Sequence, residues 1–124
     1  MVDSNISGLR VLVVEDEALV AMALEDTLEE LGCEVVGIAS RIDTAKTAIR
    51  ARDFDCAILD INVHGEPIYP VAASLDEQHV PFVFLTGYDT KEVMQAYRDR
   101  PVLHKPLEPW ALREALVRMK NHAA

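Results

Sequence analysis

Four short apolar runs in this chain each end in a residue able to handle a phosphoryl group or a metal ion. Residues 11–14 lead into Glu15 and Asp16, residues 56–59 into Asp60, residues 82–85 into Thr86 and Gly87, and residues 102–104 into Lys105 and Pro106. Taken as parallel strands, these runs share one carboxyl edge, and open α/β sheets bind their ligands in the crevice along that edge. Three carboxylates, a hydroxyl and an ammonium then converge in one place. The pattern points to a carboxylate that is phosphorylated beside a divalent cation.

Between the apolar runs lie helical patterns, and that alternation predicts βα units around a mostly parallel sheet. Strands are expected near 9–14, 34–38, 55–60, 81–86 and 101–104. The first helix is expected over about 17–31, where Leu24, Leu28 and Leu31 recur at helical spacing and Gly32 supplies a stop. A second helix opens near Ser40 and runs to about Arg52. A third starts near Pro67 or Tyr69 and ends by His79, and a fourth runs from beyond Asp89 and Thr90 to about Arg98. The fifth starts at Glu108-Pro109, with Leu112, Ala115, Leu116 and Met119 forming its apolar stripe. Val35, Val36 and Ile38, with the all-apolar character of the other strands, suggest burial on both faces.

A chain of 124 residues suits one domain with a substantial core, here expected over 8–121 with flexible ends at 1–7 and 122–124. Its net charge of −9, from 21 acidic and 12 basic residues, disfavours nucleic acid and anionic membrane surfaces, which demand clustered Lys and Arg. No run is long enough to span a membrane, and residues 1–5 lack the basic and then apolar regions of a signal peptide. Cys33 and Cys56 read as buried reduced thiols of a cytoplasmic protein.

Gathered carboxylates repel one another and need a counter-charge. Oxygen-only ligands select a hard cation, and Mg²⁺ is held by one or two carboxylates with waters and a phosphate. Asp16 and Asp60 are the natural direct ligands. Glu15 fits better as a ligand through a bound water, and the backbone carbonyl of Asn62 could complete the set. Taken singly, each acidic signal could instead be a helix cap, and Lys105 a surface lysine. Their joint position at neighbouring strand ends argues for a site.

The acidic pair Glu15-Asp16, Asp60, Thr86 and Lys105-Pro106, in that order, resemble the response-regulator receiver domain of two-component signalling over essentially the whole chain. Phe84-Leu85-Thr86-Gly87-Tyr88, with Gly65-Glu66-Pro67 and Arg100-Pro101-Val102, is further similar to the receiver subgroup called FAT GUY. The resemblance implies a flavodoxin-like, doubly wound (βα)5 fold with strand order 2-1-3-4-5. It implies that Asp60 accepts a phosphoryl group from a sensor histidine kinase in a Mg²⁺-dependent reaction, and the subgroup is often associated with kinases of HWE or HisKA2 type. Lys105, Thr86 Oγ and the Gly87 amide would then bind the phosphoryl oxygens. The expected protein is a stand-alone signalling domain that catalyses only its own phosphorylation and dephosphorylation and acts on an unidentified downstream protein. A phosphorylation-dependent homodimer is left open.

Two departures accompany the resemblance. Many receivers carry an aromatic three residues before the lysine, where this chain has Val102, and Tyr88 is the candidate substitute as a switch. The loop after Asp60 has Val63-His64 in place of the usual Met-Pro. Competing readings are weaker. A Mg²⁺-dependent phosphatase with an aspartyl nucleophile would want a second aspartate where Asn62 stands, and a nucleotide-binding module would find Glu15-Asp16-Glu17 repelling its phosphate.

Overall fold

Side chains alternate along a strand, so an all-apolar strand must have a partner on each of its faces. The computed structural model, which describes residues 5–51, 53–87, 97 and 99–123, meets that demand. Its elements are β1 (Arg10–Val14), α1 (Ala18–Glu30), β2 (Glu34–Ala39), α2 (Ile42–Ala51), β3 (Cys56–Asp60), β4 (Asn62–Val63), β5 (Glu66–Pro67), α3 (Tyr69–Glu77), β6 (Phe82–Thr86), β7 (Val102–His104) and α4 (Pro109–Ala123). Five strands form one parallel sheet in the order β2-β1-β3-β6-β7. This is the expected order, with β6 and β7 as the fourth and fifth strands. The fourth expected helix lies outside the described residues apart from Tyr97.

The core divides by strand parity. Leu12, Val14, Ala57, Leu59, Phe82 and Phe84 face α2 and α3. Val11, Val13, Cys56, Ile58, Val83 and Leu85 face α1 and α4. Both cysteines are buried thiols. Gly32, at φ 92°, ends α1 in the left-handed conformation that glycine adopts without strain.

Three features differ from the reading of the sequence. First, β2, at the edge where the expected order puts it, is not buried on both faces, and only Ala39 in it is fully buried. It also carries a bulge, because Val11 pairs with Val35 but Leu12 with Gly37, which leaves Val36 without a partner across β1. Second, some described residues near each end take part in the fold although no sequence pattern marks them. Ile6 is fully buried, Gly8 N–H donates to Gly32 O at 2.8 Å, and Leu9 N–H to Ile6 O at 3.0 Å. At the other end α4 continues to Ala123. Third, a small antiparallel hairpin, β4–β5, follows Asp60. Its two turn residues, His64 at φ 51° and Gly65 at φ 78°, have the doubly positive φ of a type I′ turn.

Tyr97 and Arg100 lie against the end of the sheet beside α3. Tyr97 stacks on Tyr69 with centroids 5.5 Å apart and meets the Phe84 ring edge to face at 5.8 Å. Arg100 donates two 3.0 Å hydrogen bonds to the Asp76 carboxylate, a bidentate pairing, and its guanidinium lies 5.1 Å from the Phe82 ring centre.

Because Ile6 fills core space, Ile6→Ala is expected to cost about 2–4 kcal/mol in urea unfolding. A frayed leader would leave the midpoint unchanged.

Candidate functional site

The carboxyl ends of β1, β3, β6 and β7 bring the predicted residues to one edge. Glu15 extends β1 by donating its N–H to Ala39 O at 3.0 Å. Strand alternation then places Glu15 in step with Val13, Asp60 with Ile58 and Lys105 with Leu103, all toward α1 and α4. Thr86 closes β6, and its carbonyl accepts from Lys105 N–H at 2.9 Å, which ties the β7 exit to the β6 exit. The Lys105–Pro106 peptide is cis.

One ammonium joins the acidic groups. Lys105 Nζ lies 3.2 Å from Glu15 Oε2, 3.5 Å from Asp60 Oδ2 and 3.7 Å from Glu17 Oε1. Glu15, Asp60 and Thr86 are buried, at 2%, 7% and 1% exposure, whereas Glu17 stands in solvent. Asp16, half-buried, accepts from His64 N–H at 2.9 Å, so the hairpin turn holds it in place. Asn62 N–H donates to Asp60 Oδ1 at 3.4 Å, and Glu17 N–H to Glu15 Oε1 at 3.0 Å.

These surroundings set the ionisation. Burial pushes the Glu15 carboxyl up to about 7, against the pull of the Glu17 amide and with the help of the Asp60 charge. Burial likewise raises Asp60, although Lys105 and hydrogen bonding oppose it. Desolvation is the largest influence on Asp16 and acts upward, but hydrogen bonds, that from the His64 amide first among them, together outweigh it and the carboxyl is held below its ordinary value. For Lys105 burial pulls downward, and the carboxylates of Asp60 and Glu15 more than reverse it. Protonated lysine and crowded carboxylates therefore hold each other in place.

The donor set fits a hard divalent cation. One oxygen from each of Glu15, Asp16 and Asp60 lies within 4.8 Å of the others, with the all-oxygen character that Mg²⁺ prefers. Glu15 Oε2 is buried and accepts no well-directed hydrogen bond; the nearby ammonium balances its charge only. Asn62 pairs with Pro67 across the hairpin, next to Ile61, whose carbonyl accepts from Ile68 N–H at 2.9 Å.

Among the described residues a Cβ added at Gly87 would meet nothing within 4 Å. Tyr88 lies outside the described residues. Sequence reasoning missed two participants, the His64 amide on Asp16 and the Glu17 carboxylate on Lys105. A signal for the first existed in His64-Gly65, a pair suited to a tight turn, while nothing local marked the second. The His64 side chain itself is exposed. Next to Lys105 a groove of about 560 Å³ runs along α1, lined by Leu19, Val20, Ala23, Leu85, Pro106 and Leu107 among others. Leu19 there is 82% exposed. Among the described residues no helix is long and apolar enough to cross a membrane.

Residues 11–117 match the family model described as the response regulator receiver domain. The transcriptional regulatory protein PdtaR of Mycobacterium tuberculosis is 27% identical over 108 residues, which cover 86% of this chain and 53% of that protein. The phyllosphere-induced regulator PhyR of Methylorubrum extorquens is 31% identical over 104 residues, covering 80% of this chain and 39% of PhyR. The chain thus spans about half or less of the length of these two relatives. The solution structure of SdrG from Sphingomonas melonis Fr1 is 40% identical, with a TM-score of 0.83 over 91% of this chain and 97% of that one.

The ionisation pattern has a consequence for stability. The unfolded chain releases the Glu15 proton near 4.5, whereas the fold keeps it to about 7. Native protein therefore binds more protons than unfolded protein between those values, and stability falls as pH rises across that window. We expect a loss on the order of 2 kcal/mol in chemical denaturation between pH 4.5 and 7.5. Added Mg²⁺ should raise the melting temperature at pH 7.5 more than at pH 5, and should do so little in Asp16→Asn/Asp60→Asn.

Proposed function

The chain belongs to the response regulator receiver domain family, and from that membership we propose that it is a phosphoacceptor of two-component signalling, with Asp60 as the residue phosphorylated by a histidine kinase. The observation that carries this reading is the meeting of Glu15, Asp16 and Asp60 within 4.8 Å of one another with Lys105 Nζ 3.5 Å from Asp60.

In this reading an Asp60 carboxylate oxygen attacks the phosphorus of the kinase phosphohistidine. The new O–P bond forms as the P–N bond breaks, and its electron pair leaves with the imidazole nitrogen. Mg²⁺, which Asp16, Asp60 and the Asn62 carbonyl would hold directly and Glu15 through a water, supplies neutralising charge at the phosphoryl oxygens when bound. Asp16 is kept ionised for that role by the His64 amide. The Asn62 and His64 amides fix the two aspartates, so little reorganisation is needed at transfer. Lys105 then exchanges a carboxylate partner for a phosphoryl oxygen, and Thr86 Oγ and the Gly87 amide donate to the others. Gly87, with no side chain, leaves room beside the acceptor for the donor and, later, for the water that hydrolyses the aspartyl phosphate. The protein turns over no separate substrate.

Phosphorylation adds close to two negative charges and three acceptor oxygens. Lys105 and Thr86 bind these better in one arrangement than another, which shifts the population of the β6–β7 end of the sheet. Tyr88 follows Thr86 by two residues and is the proposed reporter of that shift. The apolar groove along α1, opening beside Lys105, supports docking of the kinase there, and the FAT GUY-like residues favour a kinase of HWE or HisKA2 type. The output is a protein–protein contact in the cytoplasm, with a downstream protein or a second phosphorylated copy.

Incubation with phosphoramidate or acetyl phosphate and Mg²⁺, read by intact mass, should add about 80 Da (one phosphoryl group) to the parent chain and nothing to Asp60→Asn. Asp16→Asn should slow the gain by about tenfold or more. Equal labelling of Asp60→Asn would refute the assignment. In the presence of the kinase, Tyr88→Ala should be phosphorylated normally yet lose the phosphorylation dependence of partner binding.

A further inference from the structure

Lys105 has a third acidic neighbour that the phosphoacceptor reading does not use. Glu17 Oε1 lies 3.7 Å from Lys105 Nζ, with the Glu17 side chain 66% exposed. Glu17 is also the N-cap of α1, with φ −87° and ψ 112°, and its side chain makes no capping hydrogen bond. Its backbone does what the helix needs, since its carbonyl accepts from Ala21 N–H at 2.9 Å. Glutamate is not among the favoured N-caps, and the favourable charge–dipole interaction of a carboxylate at a helix start does not require contact with Lys105. The Glu17 carboxylate leaves the helix end and reaches the ammonium at the mouth of the site.

We propose that Glu17 is a positioning residue that restrains Lys105 among the carboxylates and biases the site against small, doubly negative phosphodonors. The proposal rests on the assignment of Asp60 as phosphoacceptor. Two effects act in the same direction. Lys105 must leave part of its carboxylate shell to reach a phosphoryl oxygen, and Glu17 is one of the groups it leaves. A solvent-facing carboxylate also repels an approaching dianion. Acetyl phosphate, which would transfer phosphorus to Asp60 as its P–O bond breaks and acetate departs with the electron pair, carries more negative charge than phosphoramidate. A histidine-bound phosphoryl group delivered on a protein surface arrives with contacts of its own, which offset the repulsion.

The test compares both small donors, with Mg²⁺, on the parent chain, Glu17→Gln, Glu17→Asp and Asp26→Asn. Asp26, exposed on α1, gives the same change in net charge as Glu17→Gln away from Lys105. At low ionic strength Glu17→Gln should accelerate labelling by acetyl phosphate about three- to tenfold, as expected for one exposed charge pair, and by phosphoramidate less. The difference should shrink with added salt. Glu17→Asp should keep the parent donor ratio, and Asp26→Asn should stay within about twofold of the parent on both donors. In the absence of any donor, the Lys105 side-chain ¹⁵Nζ and ¹³Cε resonances should shift in Glu17→Gln and not in Asp26→Asn. An unchanged donor ratio in Glu17→Gln, or an equal change in Asp26→Asn, overturns the donor bias. Unshifted Lys105 resonances overturn the restraint whether or not Asp60 accepts phosphorus. A parent chain that gains mass from neither donor overturns the phosphoacceptor assignment itself, and the donor bias with it.

Discussion

The Lys105 ammonium is what allows this fold to keep two buried carboxylates a few ångströms apart. Without a cation between them, Glu15 and Asp60 would have to take up protons or push outward. Either response would loosen the ends of β1 and β3 on which the rest of the edge is built. The lysine is itself aligned by backbone, since its amide is bonded to the Thr86 carbonyl as β7 leaves the sheet. Charge and strand register therefore support one another. The same crowding that raises the Glu15 and Asp60 carboxyls also makes the pocket receptive to further positive charge.

Much of this arrangement was legible in the sequence because parallel strands buried on both faces can hold polar chemistry only at their ends. The runs ending in Glu15, Asp60, Thr86 and Lys105 announced both the sheet and its working edge. What escaped reading lacked periodicity or locality. Two-residue strands such as β4 and β5 are too short to show alternation, and His64-Gly65 stands where Asn-Gly would have signalled a hairpin more strongly. A single isoleucine at position 6 has no repeat to declare its burial. Val35, Val36 and Ile38 look alike whether one face or both are covered, because that cover is a property of the whole fold. Glu17 meets Lys105 from the opposite end of the chain, and no window of sequence contains both.

The hairpin has more influence than its size suggests. It is tied at its base by the Ile68 N–H to Ile61 O bond of 2.9 Å, and its turn amide fixes Asp16. Tyr69 follows it at once and stacks on Tyr97. The segment after Asp60 thus touches the acidic cluster at one end and the aromatic group beside β6 at the other.

An open sheet invites strangers along its two outer margins, where unpaired amides and carbonyls could template the addition of another strand. Here both margins are blunted. On one side β2 is interrupted by the extra residue at Val36, and a bulge bends and twists the strand that carries it. On the other, β7 is only three residues long, with Pro101 before it and Pro106 shortly after. A neighbouring chain would find no straight run of backbone to zip against at either margin. Backbone pairing is therefore disfavoured at both margins, and the side chains of the helices are the surfaces this sheet leaves for contact.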